Sequence, residues 1–323
     1  MRAVVCKSFG PPENLVLETV EDPSPAEGEV IVDVRAAAIT FPDTLIIEDR
    51  YQFKATPPFT LGGEVAGVVG AVGEGVTDFA VGDDVVGGRG TGGFAERLAV
   101  PAASLRPLPE GLEYAEATGF GYAYGTGYYG LKYRGDLQPG ETLLVLGAAG
   151  AVGLAAVELG KLLGAKVIAA ASTPEKLALC RERGADETID YNREDLKVRA
   201  KELTGGKGVD VVYDVVGGDY AEPALRALSW RGRFLVIGFT AGIPRIPLNL
   251  TLLKGCSIVG VFWGSARTRE PEVFETMSRE LEAHAAAGDI HPLISRRYSL
   301  EEVPQALRDM LDRKVLGKVV AQP

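Results

Sequence analysis

The run Gly147-Ala148-Ala149-Gly150-Ala151-Val152-Gly153 is where residue type and spacing speak most directly of chemistry. Glycines at 147, 150 and 153 let the backbone turn sharply and approach a ligand. A helix starting at that turn presents free N–H groups and a positive dipole end to an anion such as a pyrophosphate. Glycine spacing alone also marks ordinary tight turns. Here an apolar strand, Leu143–Leu146, precedes it, a helix over Ala151–Leu163 follows and ends at Gly164, and a second strand begins at Lys166. That order is the signature of a dinucleotide-binding unit, with Gly147, Ala149, Gly150, Ala151, Val152 and Gly153 lying along the cofactor.

The end of the second strand bears on which dinucleotide is taken. Units that bind NAD usually place Asp or Glu there, about 20 residues beyond the motif, to accept hydrogen bonds from the ribose 2′-hydroxyl. This chain has Ala169-Ala170-Ala171-Ser172 without a carboxylate, and Lys176 follows in the first turn of the next helix. An acid would repel a 2′-phosphate, whereas a hydroxyl and an ammonium would hold it. A charge-assisted hydrogen bond contributes on the order of 1.5–3 kcal/mol, about ten- to hundredfold in preference. A lysine taken alone reads as an ordinary solvated helix residue; together with the missing acid it favours NADPH over NADH.

Other elements must position these residues. A 323-residue chain is about twice a typical domain, so two domains are expected. The first ~110 residues read as strands and turns. Ala3–Ser8, Leu15–Val20 and Glu29–Ala37 alternate in the manner of strands, and the glycine-kinked runs Gly62–Gly70 and Gly82–Gly88 suit a small curved barrel. Nothing helical of length is expected before Tyr114. From Thr142 strands and helices alternate: Lys166–Ala170, Glu187–Ile189, Val209–Val215, Arg233–Ile237 and Ser257–Val261 are apolar strands. Thr173 caps a helix with Pro174 at its first position. The economical fold class is α/β, a doubly wound parallel sheet behind a β-rich domain. A long helix is expected over Pro271–Ala287 and a closing strand within Arg313–Val320, folded back onto the first domain.

Composition excludes several functions. Acidic residues outnumber basic ones 44 to 34, for a net charge of −10, and no basic block offers a nucleic-acid surface. Glycine, at 41 residues, is nearly twice its usual share of ~7%. Cys6, Cys180 and Cys256 form no Cys-x-x-Cys pair, which suits a reducing compartment. The first residues lack the apolar run of a signal peptide, and the longest apolar stretch, Leu143–Val157, is short of the roughly 18–20 residues of a membrane span. A soluble cytoplasmic protein without membrane or nucleic-acid partners is expected.

Taken in order, several motifs resemble the medium-chain dehydrogenase/reductase superfamily, and within it the zinc-free quinone oxidoreductase (zeta-crystallin-like) branch. They are the glycine loop with Leu154-Ala155-Ala156-Val157, Leu61-Gly62-Gly63-Glu64-Val65-Ala66-Gly67, Tyr124-Gly125-Thr126, Asp214-Val215-Val216-Gly217-Gly218, Ile237-Gly238-Phe239-Thr240, Gly260-Val261-Phe262-Trp263-Gly264 and Gly317-Lys318-Val319-Val320. The resemblance runs almost end to end. It implies a GroES-like, partly open β-barrel domain formed by residues 1–118 and 264–323, with a Rossmann NADPH-binding domain, 119–263, between them. It also implies that Ser172, Lys176 and Tyr191 surround the 2′-phosphate. Thr126, Gly238, Phe239 and Thr240 would approach the nicotinamide ribose half, and Val216 and Lys318 are further cofactor contacts. Phe262 and Trp263 would flank the reacting ring, although an aromatic pair also suits plain core packing.

What the family pattern lacks here decides the chemistry. Zinc-dependent relatives carry a cysteine in the segment equivalent to Ala38-Ile39-Thr40 and a histidine before the glutamate of a Gly-His-Glu run. This chain has Thr40 and Gly63 at those places, and its two histidines, His284 and His291, are remote in sequence. No metal is expected, since catalytic zinc needs three protein ligands and an open position. Without a Lewis acid the accessible chemistry is hydride addition to a quinone or another α,β-unsaturated carbonyl, whose conjugation spreads the developing charge. Tyr51, Thr40 and Asp43 come from the barrel segment that faces the cofactor in this family and are the catalytic candidates. Tyr51 is the best donor by type, and Asp43 suits orienting a loop or a water; a purely structural role is open for each. An NADPH-dependent enoyl-thioester reductase and a non-catalytic NADPH-binding module are the rival readings. A homodimer through the edge strand Ser257–Phe262 is expected from the family.

Overall fold

Small and β-branched residues at alternate positions draw the first part of the chain into strands, as the computed structural model, which describes all of Met1–Pro323, shows. These are β1 (Arg2–Cys6), β2 (Val16–Thr19) and β3 (Glu29–Ile39), then β4 (Phe59–Thr60), β5 (Val65–Val72), β6 (Asp84–Gly87), β7 (Arg97–Pro101) and β8 (Leu105–Pro107). A short helix not expected from the sequence, α1 (Phe41–Ile46), lies between β3 and β4. Its cause is local: Thr40 and Asp43 form a reciprocal capping box, and Pro42 sits in the first turn. A helical run then crosses Tyr114–Arg134, with α2 (Tyr114–Gly119) and α3 (Gly125–Tyr128) separated and followed by wider π turns.

From Thr142 the alternation is regular: β9 (Thr142–Leu146), α4 (Ala151–Leu162), β10 (Lys166–Ala171), α5 (Pro174–Glu182), β11 (Glu187–Asp190), α6 (Leu196–Leu203), β12 (Val209–Asp214), α7 (Ala221–Ala227), β13 (Leu228–Val236), α8 (Asn249–Lys254) and β14 (Ser257–Gly260). Helices α9 (Trp263–Arg269) and α10 (Pro271–Ala286) follow, then β15 (Ile294–Ser299), α11 (Val303–Leu311) and β16 (Lys318–Gln322). No helix is long and apolar enough to cross a membrane.

The chain divides into two units, Met1–Gly121 with His291–Pro323, and Tyr122–Ile290. In the first, a sheet ordered β15-β16-β3-β5-β6-β8, with β7 also on β3, is joined by the smaller sheet β2-β1-β4. The C-terminal strand β16 runs antiparallel to β3, Val320 opposite Ala38, which fixes the tail in this unit. Bulges between Ile31 and Val32 and between Val34 and Ala36 bend β3 against β5, as a curved barrel requires. Val32, Leu61, Val65, Phe94, Leu307 and Val319 are among the residues of its core.

The second unit is one parallel sheet, β11-β10-β9-β12-β13-β14, with its first strand in the middle. This is the doubly wound dinucleotide-binding order, whose ligand crevice lies at the carboxyl ends of β9 and β12, between which the strand order reverses. Residues 264–290 differ from expectation: they belong to this unit and not to the barrel. Trp263 stacks on Phe274 (4.9 Å between ring centroids), and Glu280 accepts a hydrogen bond from Lys132 (2.8 Å), so α9 and α10 are anchored on the Tyr122–Arg134 segment.

Candidate functional site

The glycine loop has the geometry that a close-approaching anion needs. Gly147, directly after β9, has φ +65°, a left-handed value that glycine adopts without strain. A Cβ on Gly153 would stand 2.3 Å from the Gly147 oxygen, so that glycine is demanded by the turn itself. Gly150 is different. A Cβ there would meet only the Gly147 oxygen, at 3.6 Å, so nothing in the protein requires glycine and the space above it is left for a ligand. Leu154 is the first α4 residue to bond back into the loop, its N–H donating to the Gly150 carbonyl at 2.8 Å. The N–H groups of Ala151, Val152 and Gly153 therefore open the helix toward that space, beside Ala149.

The loop after β12 closes on the same turn. Asp214, buried, accepts the N–H groups of Val216 (2.8 Å) and Gly217 (2.9 Å) on one oxygen. Burial pushes its carboxyl up, opposed by those two N–H groups. Val215 and Val216 thereby cover Gly147, where a Cβ would lie 2.7 and 2.9 Å from their methyls. Asp214 was not singled out from the sequence, although an Asp before Val-Val-Gly-Gly is an Asx-turn signal. Gly238 donates to the Asp214 carbonyl (3.2 Å), and Thr240 donates to the Val215 carbonyl through its N–H (3.4 Å) and its hydroxyl (3.3 Å). Phe239 lies beside Gly217 and is 44% exposed, so it is an aromatic surface open to a ligand.

At the end of β10 the residues expected around a 2′-phosphate do come together. The Lys176 ammonium lies 3.5 Å from the Ser172 hydroxyl, and the Thr173 hydroxyl accepts the Lys176 N–H at 3.3 Å as the helix cap. Tyr191 donates its N–H to the Ala171 carbonyl (3.2 Å) and sets its ring 4.6 Å from that of Tyr220. Asn192, missed in the sequence, donates to the Ser172 carbonyl at 2.9 Å and so holds the strand end that carries the hydroxyl.

Thr126 sits in α3 between two glycines that make room for neighbours. A Cβ on Gly125 would be 2.8 Å from the Trp263 ring, and one on Gly127 2.7 Å from Leu159 of α4. Trp263 is occupied by Gly125, Phe274 and Tyr129, and so serves as packing for the Thr126 segment; Phe262, 58% exposed, is the member of the pair that faces outward.

In the barrel unit, Asp43 and Thr40 form a tight pair. One Asp43 oxygen accepts the Thr40 N–H (2.7 Å) and hydroxyl (2.6 Å), and the other accepts the Gly62 N–H (3.3 Å). Burial pushes the Asp43 carboxyl up to about 6, with the Thr40 and Gly62 bonds and the Lys318 charge pulling against it. The Thr40 proton is thus committed inward and its lone pairs are what it offers. Tyr51 packs against the barrel core; burial and the Asp43 charge push its hydroxyl up, so it stays protonated and can donate. Lys318 departs from expectation. It is buried in this unit, donates to the Thr118 carbonyl (2.6 Å) and faces Glu64 and Asp43, so its ammonium is not presented as a cofactor contact. No group of three or more His, Cys, Asp and Glu side chains is arranged to hold a metal ion.

Comparison with known proteins agrees with this geometry. Residues 26–110 match the alcohol dehydrogenase GroES-like domain, and residues 151–282 match the family described as zinc-binding dehydrogenase. The chain is 42% identical to a quinone oxidoreductase-like protein 2 homolog of Nematostella vectensis, over 99% of this chain and 88% of that one. It is 36% identical to a quinone oxidoreductase of Pseudomonas aeruginosa over 98% of each. The structure of Escherichia coli quinone oxidoreductase complexed with NADPH superposes with a TM-score of 0.93 at 31% identity, covering 100% of both chains. With a GroES-like unit, a Rossmann unit and relatives of this identity along its whole length, the chain belongs to the zinc-free quinone oxidoreductase branch of the medium-chain dehydrogenase/reductase superfamily.

Proposed function

We propose that this protein is an NADPH-dependent oxidoreductase that transfers hydride to quinones or related α,β-unsaturated carbonyls without a metal. The observation that carries the reading is the Ser172–Lys176 pair at the end of β10, where a carboxylate would select NAD instead. The open space over Gly150 and the N–H groups of Ala151–Gly153 fit a pyrophosphate, and Escherichia coli quinone oxidoreductase is known in complex with NADPH. Ser172, Lys176 and Tyr191 hold the 2′-phosphate. Thr126, Val216, Gly238, Phe239 and Thr240 hold the nicotinamide half, and Phe262 flanks the ring.

NADPH held by these residues would supply hydride from its nicotinamide ring, and a quinone taking that hydride and a proton would leave as hydroquinone, with NADP⁺ as the other product. Tyr51 donates a hydrogen bond to the oxygen on which charge develops. Because its hydroxyl is held above its ordinary range, it stabilises that oxygen by donating and leaves the proton to solvent. Thr40, its own proton held by Asp43, accepts from the water or hydroxyl that brings the proton in. Thr40 and Gly63 stand where zinc-dependent relatives carry ligands, so polarisation falls to these hydrogen bonds and to conjugation in the acceptor. Subunits pair through β14, whose outer edge is open at the end of the sheet, with Ile258 40% and Leu252 80% exposed nearby.

Steady-state NADPH oxidation with 1,4-benzoquinone, 9,10-phenanthrenequinone and crotonyl-CoA tests the assignment. Turnover of the quinones supports it. Preference for crotonyl-CoA makes the protein an enoyl-thioester reductase, and tight NADPH binding with no turnover makes it a binding module; either result overturns the proposal.

A further inference from the structure

Three ionisable groups are enclosed together in the barrel unit. Lys318 of β16, Glu64 ahead of β5 and Asp43 of α1 are 6%, 5% and 2% exposed. Glycines make the space: a Cβ on Gly119 would stand 2.5 Å from Lys318 Cδ, and one on Gly121 2.4 Å from Glu64 Oε1. Enclosing an ammonium and two carboxylates is costly, and well-packed apolar residues of similar volume commonly do as well or better for stability. Filling space does not account for the cluster.

Its link to chemistry is Thr40. A hydroxyl carries one proton, and that of Thr40 is donated to Asp43 at 2.6 Å while Asp43 is charged. If Asp43 takes a proton it can donate in turn, and the Thr40 hydroxyl is released to rotate. We propose that Lys318 is a positioning residue for the reductase reaction: its enclosed ammonium, set against Asp43 and Glu64 together, fixes the Thr40 hydroxyl as an outward hydrogen-bond acceptor. The inference rests on the reductase reading above.

The surroundings of Asp43 define the expected pH dependence. Facing it are the Lys318 ammonium, the Thr40 N–H and hydroxyl, the Gly62 N–H and the Tyr51 hydroxyl, with the Glu64 charge acting on Lys318. Helix α11 packs on α1, but its Arg308 is engaged by Glu13 and its Asp309 by Tyr298 and Gln305. With the Asp43 carboxyl raised to about 6, quinone reduction falls on an acid limb near that pH.

The test compares pH profiles of kcat/KM for quinone in the wild type, Lys318→Met and Glu64→Gln, alongside carboxyl ¹³C NMR titration of Asp43, assigned with Asp43→Asn. Removing the cation moves the limb up by about one pH unit or more, and removing the competing carboxylate moves it down. General damage to the fold would lower activity at every pH and leave the limb in place. Limbs that coincide, or that move the same way in both variants, overturn the proposal; should Lys318→Met fail to fold, the downward shift in Glu64→Gln decides alone. If the wild type reduces no quinone, the reductase reading has failed. The NMR titration then separately reports whether Lys318 and Glu64 move Asp43 in opposite directions, and equal titration in all three proteins overturns the electrostatic link.

Discussion

At the scale of single residues, two side chains carry sharp expectations. Lys176 is 3.5 Å from Ser172, and under the proposed function Lys176→Ala removes the charge that pairs with a 2′-phosphate. The Michaelis constant for NADPH should rise about ten- to hundredfold while that for NADH changes little, as steady-state kinetics with each cofactor will show. Asp43 has its carboxyl lifted by burial from 3.8 to about 6, so its protonated form is the one the fold prefers. Its stabilising contribution is whole below about pH 4 and is lost as pH rises through about 6. Asn cannot titrate, so Asp43→Asn should flatten that part of the profile of thermal midpoint against pH. The Asn NH2 would also have to face either the Gly62 N–H or the Thr40 N–H, which lowers the midpoint overall. The approach of Lys176 to Ser172 was legible because strand end and helix cap are neighbours in sequence. The environment of Asp43 was not, because its cation lies on the last strand.

At the scale of elements, the two glycines of the β9–α4 turn separate folding from binding. Gly153→Ala forces a Cβ to 2.3 Å from the Gly147 oxygen and must displace the turn, so both the thermal midpoint and NADPH affinity should fall. Gly150→Ala meets no protein atom closer than 3.6 Å, so the midpoint should hold while NADPH affinity drops at least tenfold by calorimetry. The motif as written gives both glycines the same weight; only the built turn distinguishes them. Helix α1 shows the converse. Its signal, Thr40-x-x-Asp43 with Pro42, is present in the sequence, but six residues are too few for hydrophobic periodicity to register.

At the scale of the whole molecule, the open edge of β14 is the surface through which subunits are proposed to pair. Ile258 is 40% exposed on that edge strand, and α8 nearby leaves Leu252 and Leu253 80% and 65% exposed, an apolar surface beside unpaired backbone. If the proposed dimer forms through this edge, Ile258→Lys should convert it to monomers by sedimentation or light scattering, with the thermal midpoint lowered and the far-UV circular dichroism spectrum retained. The division of the chain belongs to this scale too. Residues 264–290 looked from the sequence like the start of a tail returning to the barrel, yet Trp263–Phe274 and Lys132–Glu280 hold them in the Rossmann unit, and the return begins at His291.

The sequence by itself determined what is encoded over short distances: the strand, glycine turn and helix of β9 and α4, the absence of an acid at the end of β10, and the Thr40-x-x-Asp43 cap. Each is a matter of residue type at a spacing of a few positions, where backbone geometry leaves little choice. Tertiary structure alone decided that Lys318 is an enclosed cation and not a cofactor contact, that Thr40 turns its proton toward Asp43, and that Trp263 is packing while Phe262 is exposed. Those outcomes depend on the register that sets β16 against β3 and on which glycines leave room for a neighbour. Register is settled by the burial of whole strand faces, so no local stretch of sequence contains it.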